Sequence, residues 1–407
     1  MPEDPASPLD PVHLDSVRLA NSPAEKEAVF RFRYTIYADE QKRALPSLDP
    51  LRRWLREPED EQDAALLLYT GTPGELTATA RLRCWRPGTV PAALRRSFSM
   101  DRFPDLARRS VAEAGRLMIR PEGRGKLLPS LLWGVADAAV ERGAELIFLR
   151  CSPGLVRLYA RLAGARPYGG RVSESPDGIS VPLVVIPGDV AYAERIGCFL
   201  APLWRQHQGS SPQAGSEAKR YDGLFADGSL GVETEPDRMW ALVEEAFVAE
   251  QVGRRGFLET LPRGLVERLS RSGLIVDVEG GSRVARKGFG EREMFLILDG
   301  LFEASVAGRR LSMLEKGDLF GEVAFFREGG ERSADVRALS TGRLLTISRK
   351  FVDRLRQEDP DGAIALLTAL CRVMAERLAR PSLTTPLGLR EARPGPAQEE
   401  GKRSEPE

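Results

Sequence analysis

The sequence predicts a multidomain α+β chain, with a mixed α/β sheet domain in its first half and a turn-rich strand domain flanked by helices in its second. Three observations carry this. A chain of 407 residues exceeds what one hydrophobic core usually serves and suggests two or three domains. Between residues 65 and 186 apolar strand patterns surround one long helical stretch. After residue 205 the composition turns polar and turn-forming, starting RQHQGSSPQAGS, which reads as a linker. The expected division is a flexible segment over 1–14, a sheet domain over 15–205, a linker over 206–236, a second domain over 237–380 and a disordered tail over 381–407.

In chain order, the Pro-rich start gives way at Ser22 to a helix. Ser22 is an N-cap with Glu25 three residues on, and Val29, Phe30, Tyr34 and Tyr37 recur at helical spacing to about Gln41, with Arg31 and Arg33 between them. A polar loop, LDPLRRWLREPEDEQD, leads to AALLLYT and ELTATARLRCW, two strands joined by a Gly-Thr-Pro-Gly turn. SVAEAGRLMIRP reads as a central strand. KLLPSLLWGVADAAVERG reads as a helix whose Pro129 stands early enough to be tolerated. Strands AELIFLRC and ISVPLVVIP follow, with AYAERIGCFLAPLW closing the domain.

Between the central strand and the long helix runs Arg120-Pro121-Glu122-Gly123-Arg124-Gly125-Lys126. A glycine-containing turn entering a helix aims backbone N–H groups and a positive helix end at a pyrophosphate. The spacing R-x-x-G-x-G resembles the acyl-CoA motif of the GNAT acyltransferases, and the segment from Gly154 through Tyr159 to Gly164 and Gly169 resembles that family's helix, tyrosine and closing glycines. FRFRYTIYADEQ, Arg81 and Glu113-Ala114-Gly115-Arg116 are further similar to landmarks of acyl-homoserine lactone and N-acyl amino acid synthases, which share the fold. The resemblance implies a GNAT-like domain that takes an acyl group from acyl-CoA or acyl carrier protein. Arg120, Gly123, Arg124, Gly125 and Lys126 would bind the donor, and Tyr159 would serve the leaving sulfur. Glu113 is the base candidate, with Glu40 behind it; Glu113 is otherwise the partner of Arg116 or Arg81. A backbone N–H on Leu117–Ile119 would polarise the carbonyl.

In the second half, Phe320 to Val336 reads FGEVAFFREGGERSADV. A cyclic phosphodiester presents one phosphate charge and one free ribose hydroxyl, which call for a guanidinium, small donors and a carboxylate. The run Gly321-Glu322, Glu328-Gly329, Glu331-Arg332-Ser333-Ala334 resembles the phosphate-binding cassette of cyclic-nucleotide-binding domains, in particular the catabolite activator type. Residues 257–380 are covered, including Arg286-Lys287-Gly288, the Met294–Leu298 strand with its Asp299-Gly300 turn and Lys316-Gly317-Asp318. The resemblance implies a β-roll (jelly roll) in which Glu322 takes the 2′-hydroxyl while Gly321, Arg332 and Ser333 surround the phosphate, with cyclic AMP favoured over cyclic GMP. The helix DGAIALLTALCRVMAERL places Ile364, Leu367, Leu370 or Cys371, Met374 and Leu378 on one face. In that family such a helix closes over the base or pairs protomers, so an oligomer is possible.

Equal counts of Lys plus Arg and Asp plus Glu, 59 each, exclude a global charge pull toward nucleic acid. The tail from Pro381 has none of the helix-turn-helix pattern of a transcription regulator. Cys84, Cys151, Cys198 and Cys371 are scattered, and with two histidines no metal site is expected; the thiols read as buried and reduced. No apolar run reaches spanning length and no secretory pattern opens the chain, so a cytoplasmic protein is expected. The function these readings converge on is a cyclic-nucleotide-regulated transfer of an acyl group from a thioester to an amine, of a small molecule or a protein lysine. Its regulatory signal is expected to run through the helices over 239–269 and 361–380. The alternative is a nonenzymatic signalling adaptor with a degenerate GNAT fold.

Overall fold

The computed structural model describes residues 17–40, 45–120, 124–168, 172–175, 178–207, 219–225, 257–289, 293–327 and 330–379. The expected flexible start over 1–14, the tail over 381–407, Gly123, Gly169, Glu328, Gly329 and the lead-in helix over 239–252 lie outside the described residues.

The first unit is built on one sheet. Its strands are β1 (Val17–Leu19), β4 (Ala65–Thr72), β5 (Glu75–Trp85), β6 (Val111–Ile119), β7 (Leu146–Cys151), β8 (Arg166–Pro167), β9 (Ser173–Ser175) and β10 (Gly178–Val185); a separate small ribbon pairs β2 (Leu48–Asp49) with β3 (Trp54–Leu55). The sheet order is β1-β4-β5-β6-β7-β10-β8, with β9 also on β10. Neighbours are antiparallel except β6 and β7, which run parallel and are joined by a crossover through helix α3 (Arg124–Glu141). A parallel pair needs such a crossover, which is why the long apolar helix falls where it does.

Alternation along the strands sends two residue sets to opposite faces. Leu68, Ala80, Leu82, Ala112, Ile147 and Leu149 pack with Leu131, Val135 and Ala139 of α3 and Val156 of α4 (Val156–Ala163). On the other face, Leu67, Tyr69 and Met118 meet Val29, Phe30 and Phe32 of α1 (Pro23–Tyr34), while Val111, Phe148 and Val184 meet Phe98, Met100 and Phe103 around α2 (Ala92–Ser97). Helix α1 begins as its sequence dictates. The Ser22 hydroxyl accepts from Glu25 N–H and the Glu25 carboxylate accepts from Ser22 N–H. Past Tyr34 the coil widens into a π-helix over Thr35–Glu40.

Helices α5 (Val190–Arg195) and α6 (Ala201–His207) follow. The expected linker over 206–236 is then interrupted. Residues 219–225, ending in the short α7 (Asp222–Phe225), pack back on the sheet unit. Tyr221 is 2% exposed, 5.2 Å from the Phe103 ring, and its hydroxyl donates to Asp105 Oδ1 at 2.6 Å.

The second unit is a roll of two four-stranded sheets, β11-β18-β13-β16 and β12-β17-β14-β15. Their ranges are Ile275–Val278, Arg283–Ala285, Glu293–Asp299, Phe302–Val306, Arg309–Leu314, Leu319–Phe320, Asp335–Ala338 and Gly342–Ser348 for β11 to β18 in turn. Helices α8 (Arg263–Ser272), α9 (Glu322–Phe326), α10 (Arg349–Glu358) and α11 (Pro360–Ala379) flank it. On α11 the buried face is Ala363, Leu366, Ala369 and Leu370; Ile364 is 62% exposed and Cys371 is exposed. Of the expected face through Ile364, Leu367, Leu370 or Cys371, Met374 and Leu378, Leu370 is buried and Leu367 and Met374 are half-buried, while Ile364 turns outward and Cys371 is no buried thiol. Among the described residues, no helix is long and apolar enough to cross a membrane.

Candidate functional sites

In the sheet unit the strands part at one place. The parallel ladder of β6 and β7 ends at Ala114↔Leu149. Just beyond it, the β5–β6 register passes from Arg81↔Gly115 to Thr79↔Met118, so two residues of β6 stand against one of β5, and Arg116 takes φ of +52°. That is a β-bulge, which takes main-chain groups out of the ladder and bends the strand.

A row of charge crosses the sheet beside this fork, between the two apolar clusters. Arg33, 0% exposed, donates to Asp60 Oδ1 at 2.8 Å. Arg81 reaches Glu57 Oε2 at 2.9 Å and Asp60 at 3.3 Å, and Arg116 also pairs with Glu57. Burial opposes the Glu57 charge, but hydrogen bonding and charge from Arg116, then Arg81 and Arg33, prevail and hold its carboxyl below the usual range. Glu113, 7% exposed, accepts from Arg83 Nε at 2.8 Å, rather than from Arg81 or Arg116. Its Oε1 lies over Gly115, 2.9 Å from where a side-chain carbon would begin. Glu40 ends the π-helix, exposed.

Tyr159 on α4 sits half-buried against the core. Burial pushes its phenol up, and Cys151 and Tyr37 are close enough to add to that. Tyr37 lies on the π-helix, its ring 5.9 Å from the Arg116 guanidinium. The bulge, the end of β7, α4 and the π-helix thus meet at the fork. Of the expected donor-binding residues, Arg124, Gly125 and Lys126 open α3. Arg120 donates through Nε to Leu76 O at 3.0 Å, and its guanidinium lies 5.6 Å from the Phe32 ring, on the α1 side of the sheet.

The second site is compact in sequence and in space. Arg332 is 3% exposed, and its Nη1 donates to Glu293 O at 2.8 Å and Gly321 O at 3.4 Å. Its guanidinium lies 5.4 Å from the Phe295 ring. Gly321 has φ of +90°, and a Cβ there would stand 2.2 Å from Arg332 Nη1, so only glycine admits the arginine. Glu322, buried at the start of α9, has its Oε1 held by Arg377 of α11 at 2.5 Å; Arg377 also donates to Leu319 O. Ser333 follows Arg332 and is exposed.

The two units touch around Glu293. Glu293, whose carbonyl holds Arg332, sends its side chain to Gly154 N at 3.1 Å and takes a hydrogen bond from the Ser152 side chain. Burial pushes its carboxyl up, against the pull of Arg332. A Cβ at 154 would lie 2.3 Å from Glu293 Oε1, so glycine is what allows the approach. Alongside, Arg157 of α4 donates to Arg271 O, and Val172 N donates to Asp277 O at 3.2 Å.

Comparison with known proteins fits both halves. Residues 28–186 match the family model of N-acyl amino acid synthase FeeM, and residues 275–359 match that of the cyclic nucleotide-binding domain. The chain joins these two domains. The cAMP-activated global transcriptional regulator CRP of Salmonella typhimurium is 44% identical over 68 residues, 17% of this chain and 30% of that protein; that of Klebsiella aerogenes gives the same values. The chain thus spans about a third of the length of the curated relatives it matches. Among solved structures, a cyclic nucleotide-binding domain from Methylobacillus flagellatus is 16% identical with a TM-score of 0.29, over 35% of this chain and 79% of that one. The catabolite activator protein of Thermus thermophilus is 25% identical with a TM-score of 0.26, over 30% and 57%.

The FeeM domain supports an acyltransferase, and the second domain supports a cyclic nucleotide as ligand. Reading the sequence missed Glu57 and Asp60, assigned to a polar loop, and passed over Arg33. The signal was present in the acidic run EPEDEQD, placed before strands rich in arginine.

Proposed function

We propose that the chain transfers an acyl group from a thioester, of CoA or acyl carrier protein, to the amine of an amino acid, under control of a cyclic nucleotide, cyclic AMP before cyclic GMP. The observation that carries the reading is the fork, where a bulged strand, a half-buried tyrosine and a row of paired charges meet on the mixed sheet. A thioester carbonyl at the bulge would receive a main-chain N–H from Leu117–Ile119. Glu113 Oε1, free of Arg83, would accept the amine's proton, and Tyr159, kept protonated by burial, would give one to the departing thiolate. Gly123, just before α3, and Arg124, Gly125 and Lys126 at its start would bind the donor's phosphates, with Arg120 of the same motif lying under α1.

Control has a short route in this reading. Cyclic nucleotide phosphate at Arg332 competes with the Glu293 carbonyl, and the Glu293 side chain holds the turn that leads into α4 and Tyr159. A ligand shifts activity only through a difference in its affinity for two states, commonly worth about 1 to 3 kcal/mol. Arg377 on α11 would give a second route through Glu322.

Free-thiol release tests the function. Purified full-length chain should release thiol from a medium-chain acyl-CoA or acyl carrier protein only when an amino acid is present, at a rate that cyclic AMP changes; no release with either donor and any of the twenty amino acids would favour the adaptor. Glu293→Ala should make turnover indifferent to cyclic AMP while its affinity stays within about threefold, because Arg332 contacts the main chain of 293. Glu293→Gln, which keeps an acceptor for Gly154 N, should retain the response. A Glu293→Ala chain still fully responsive would place the route elsewhere.

A further inference from the structure

Arg150 stands apart from five other arginines of this unit. Arg33, Arg81, Arg83, Arg116 and Arg166 each have a carboxylate within ion-pair distance. Arg150 has none among the described residues, and its Nε and Nη2 are buried with no hydrogen-bond partner there. Those two nitrogens form the side-on edge of a guanidinium, the edge that matches a carboxylate with two parallel N–H bonds. Its plane is set by the Phe98 ring, 4.1 Å away, and the Phe98 carbonyl is itself held by the Tyr168 hydroxyl at 2.7 Å.

Its position is equally particular. Arg150 is the first residue of β7 past the last paired rung with β6, Ala114↔Leu149, and shares the face of Phe148 two residues earlier. Tyr168 and Glu113 are the groups whose charge bears on it, and Glu113 is already bound to Arg83. A guanidinium whose bidentate edge is closed off from water and unmatched is costly in the free protein. It is suited to an anion that arrives with a ligand.

We propose that Arg150 anchors the carboxylate of the acyl acceptor and of its N-acylated product, taking it through Nε and Nη2 beside the strand fork. The inference rests on the acyl-transfer reading above and adds to it the residue that selects an amino acid over a simple amine. Carboxylate on Arg150 would leave the acceptor nitrogen, one carbon further on, directed to the bulge and Glu113. The stacked, hydrogen-bonded plane means that little ordering is left for the ligand to impose.

The test uses the full chain and ligand pairs that differ only in charge: N-octanoyl-glycine, N-octanoyl-leucine and N-octanoyl-tyrosine, each as free acid and methyl ester, titrated by calorimetry. At least one acid should bind the unmodified chain about 10- to 100-fold more tightly than its ester. Arg150→Gln should bring acid and ester within about threefold, and Arg150→Lys should restore part of the preference, since a point charge replaces the fork. Cyclic AMP affinity, read in the other domain, and circular dichroism report that each variant is folded. The same acid preference in Arg150→Gln as in the parent, or no preference in the parent, overturns the proposal. The companion assay is thiol release with each amino acid against its decarboxylated amine. Absent release with the Arg150-dependent preference intact would sink acyl transfer and leave the carboxylate site standing; release whose amino-acid selectivity survives Arg150→Gln would sink the site and leave acyl transfer.

Discussion

Asp60→Ala is expected to lower the unfolding free energy of the FeeM domain by about 3 to 5 kcal/mol, the usual cost of stripping a buried charge of its partner. Arg33 and Asp60 are both fully enclosed, and burial already drags the Arg33 guanidinium below its ordinary range against the help of Asp60. Without the carboxylate, Arg33 would keep the burial and lose its main compensation, and Arg81 would lose one of two anchors. Replacing the pair together, Arg33→Met with Asp60→Leu, should cost far less, because a well-packed apolar pair removes both desolvation penalties. Urea unfolding of the two chains, followed by near-ultraviolet circular dichroism, compares them. Equal losses in single and double variants would mean that the pair's contribution is packing rather than charge.

Arg332→Ala should weaken cyclic AMP binding by about ten- to a hundredfold or more, since a charge-assisted contact contributes roughly 1.5 to 3 kcal/mol and this guanidinium is buried. Arg332→Lys should fall between, supplying charge without the planar fork. Glu322→Ala should also weaken binding, and it frees Arg377 from its carboxylate partner. Calorimetry on the full chain decides; unchanged affinity in both alanine variants would mean that the nucleotide binds elsewhere.

What could be read from the sequence divides by distance along the chain. The Ser22–Glu25 cap and the cassette from Gly321 to Ser333 are local, so the residues that act together are written together. The Arg33, Glu57, Asp60, Arg81, Arg116 group is assembled from a helix, a loop and two strands, and an acidic run such as EPEDEQD has the composition of a surface whether or not the fold buries it. Arg150 was legible only as the end of an apolar strand. On α11 two adjacent registers are both apolar, and the buried one uses Ala363 and Ala369, small residues that weigh little in a hydrophobicity pattern but let the helix approach closely. The bulge at Arg116 left no mark in the sequence beyond the glycine before it. Glu293 reads as an ordinary strand start, because a contact with Gly154 spans 139 positions and belongs to the pairing of domains.

Residues 219–225 bear on how the protein is made. Tyr221 closes over Phe103, Phe148 and Tyr168, a group of aromatic side chains contributed by segments synthesised much earlier. On the ribosome, the sheet can form once β10 has emerged, yet this aromatic face stays uncovered until some forty further residues have been added. A chain halted near Trp204 would present that face to solvent, with Asp105 stripped of the Tyr221 hydroxyl and Arg220 that it holds in the finished protein. Exposed aromatic surface of this kind favours self-association over folding. An expression clone of the FeeM domain therefore belongs past Phe225, and the nascent chain itself depends on translation running through that point without a long pause.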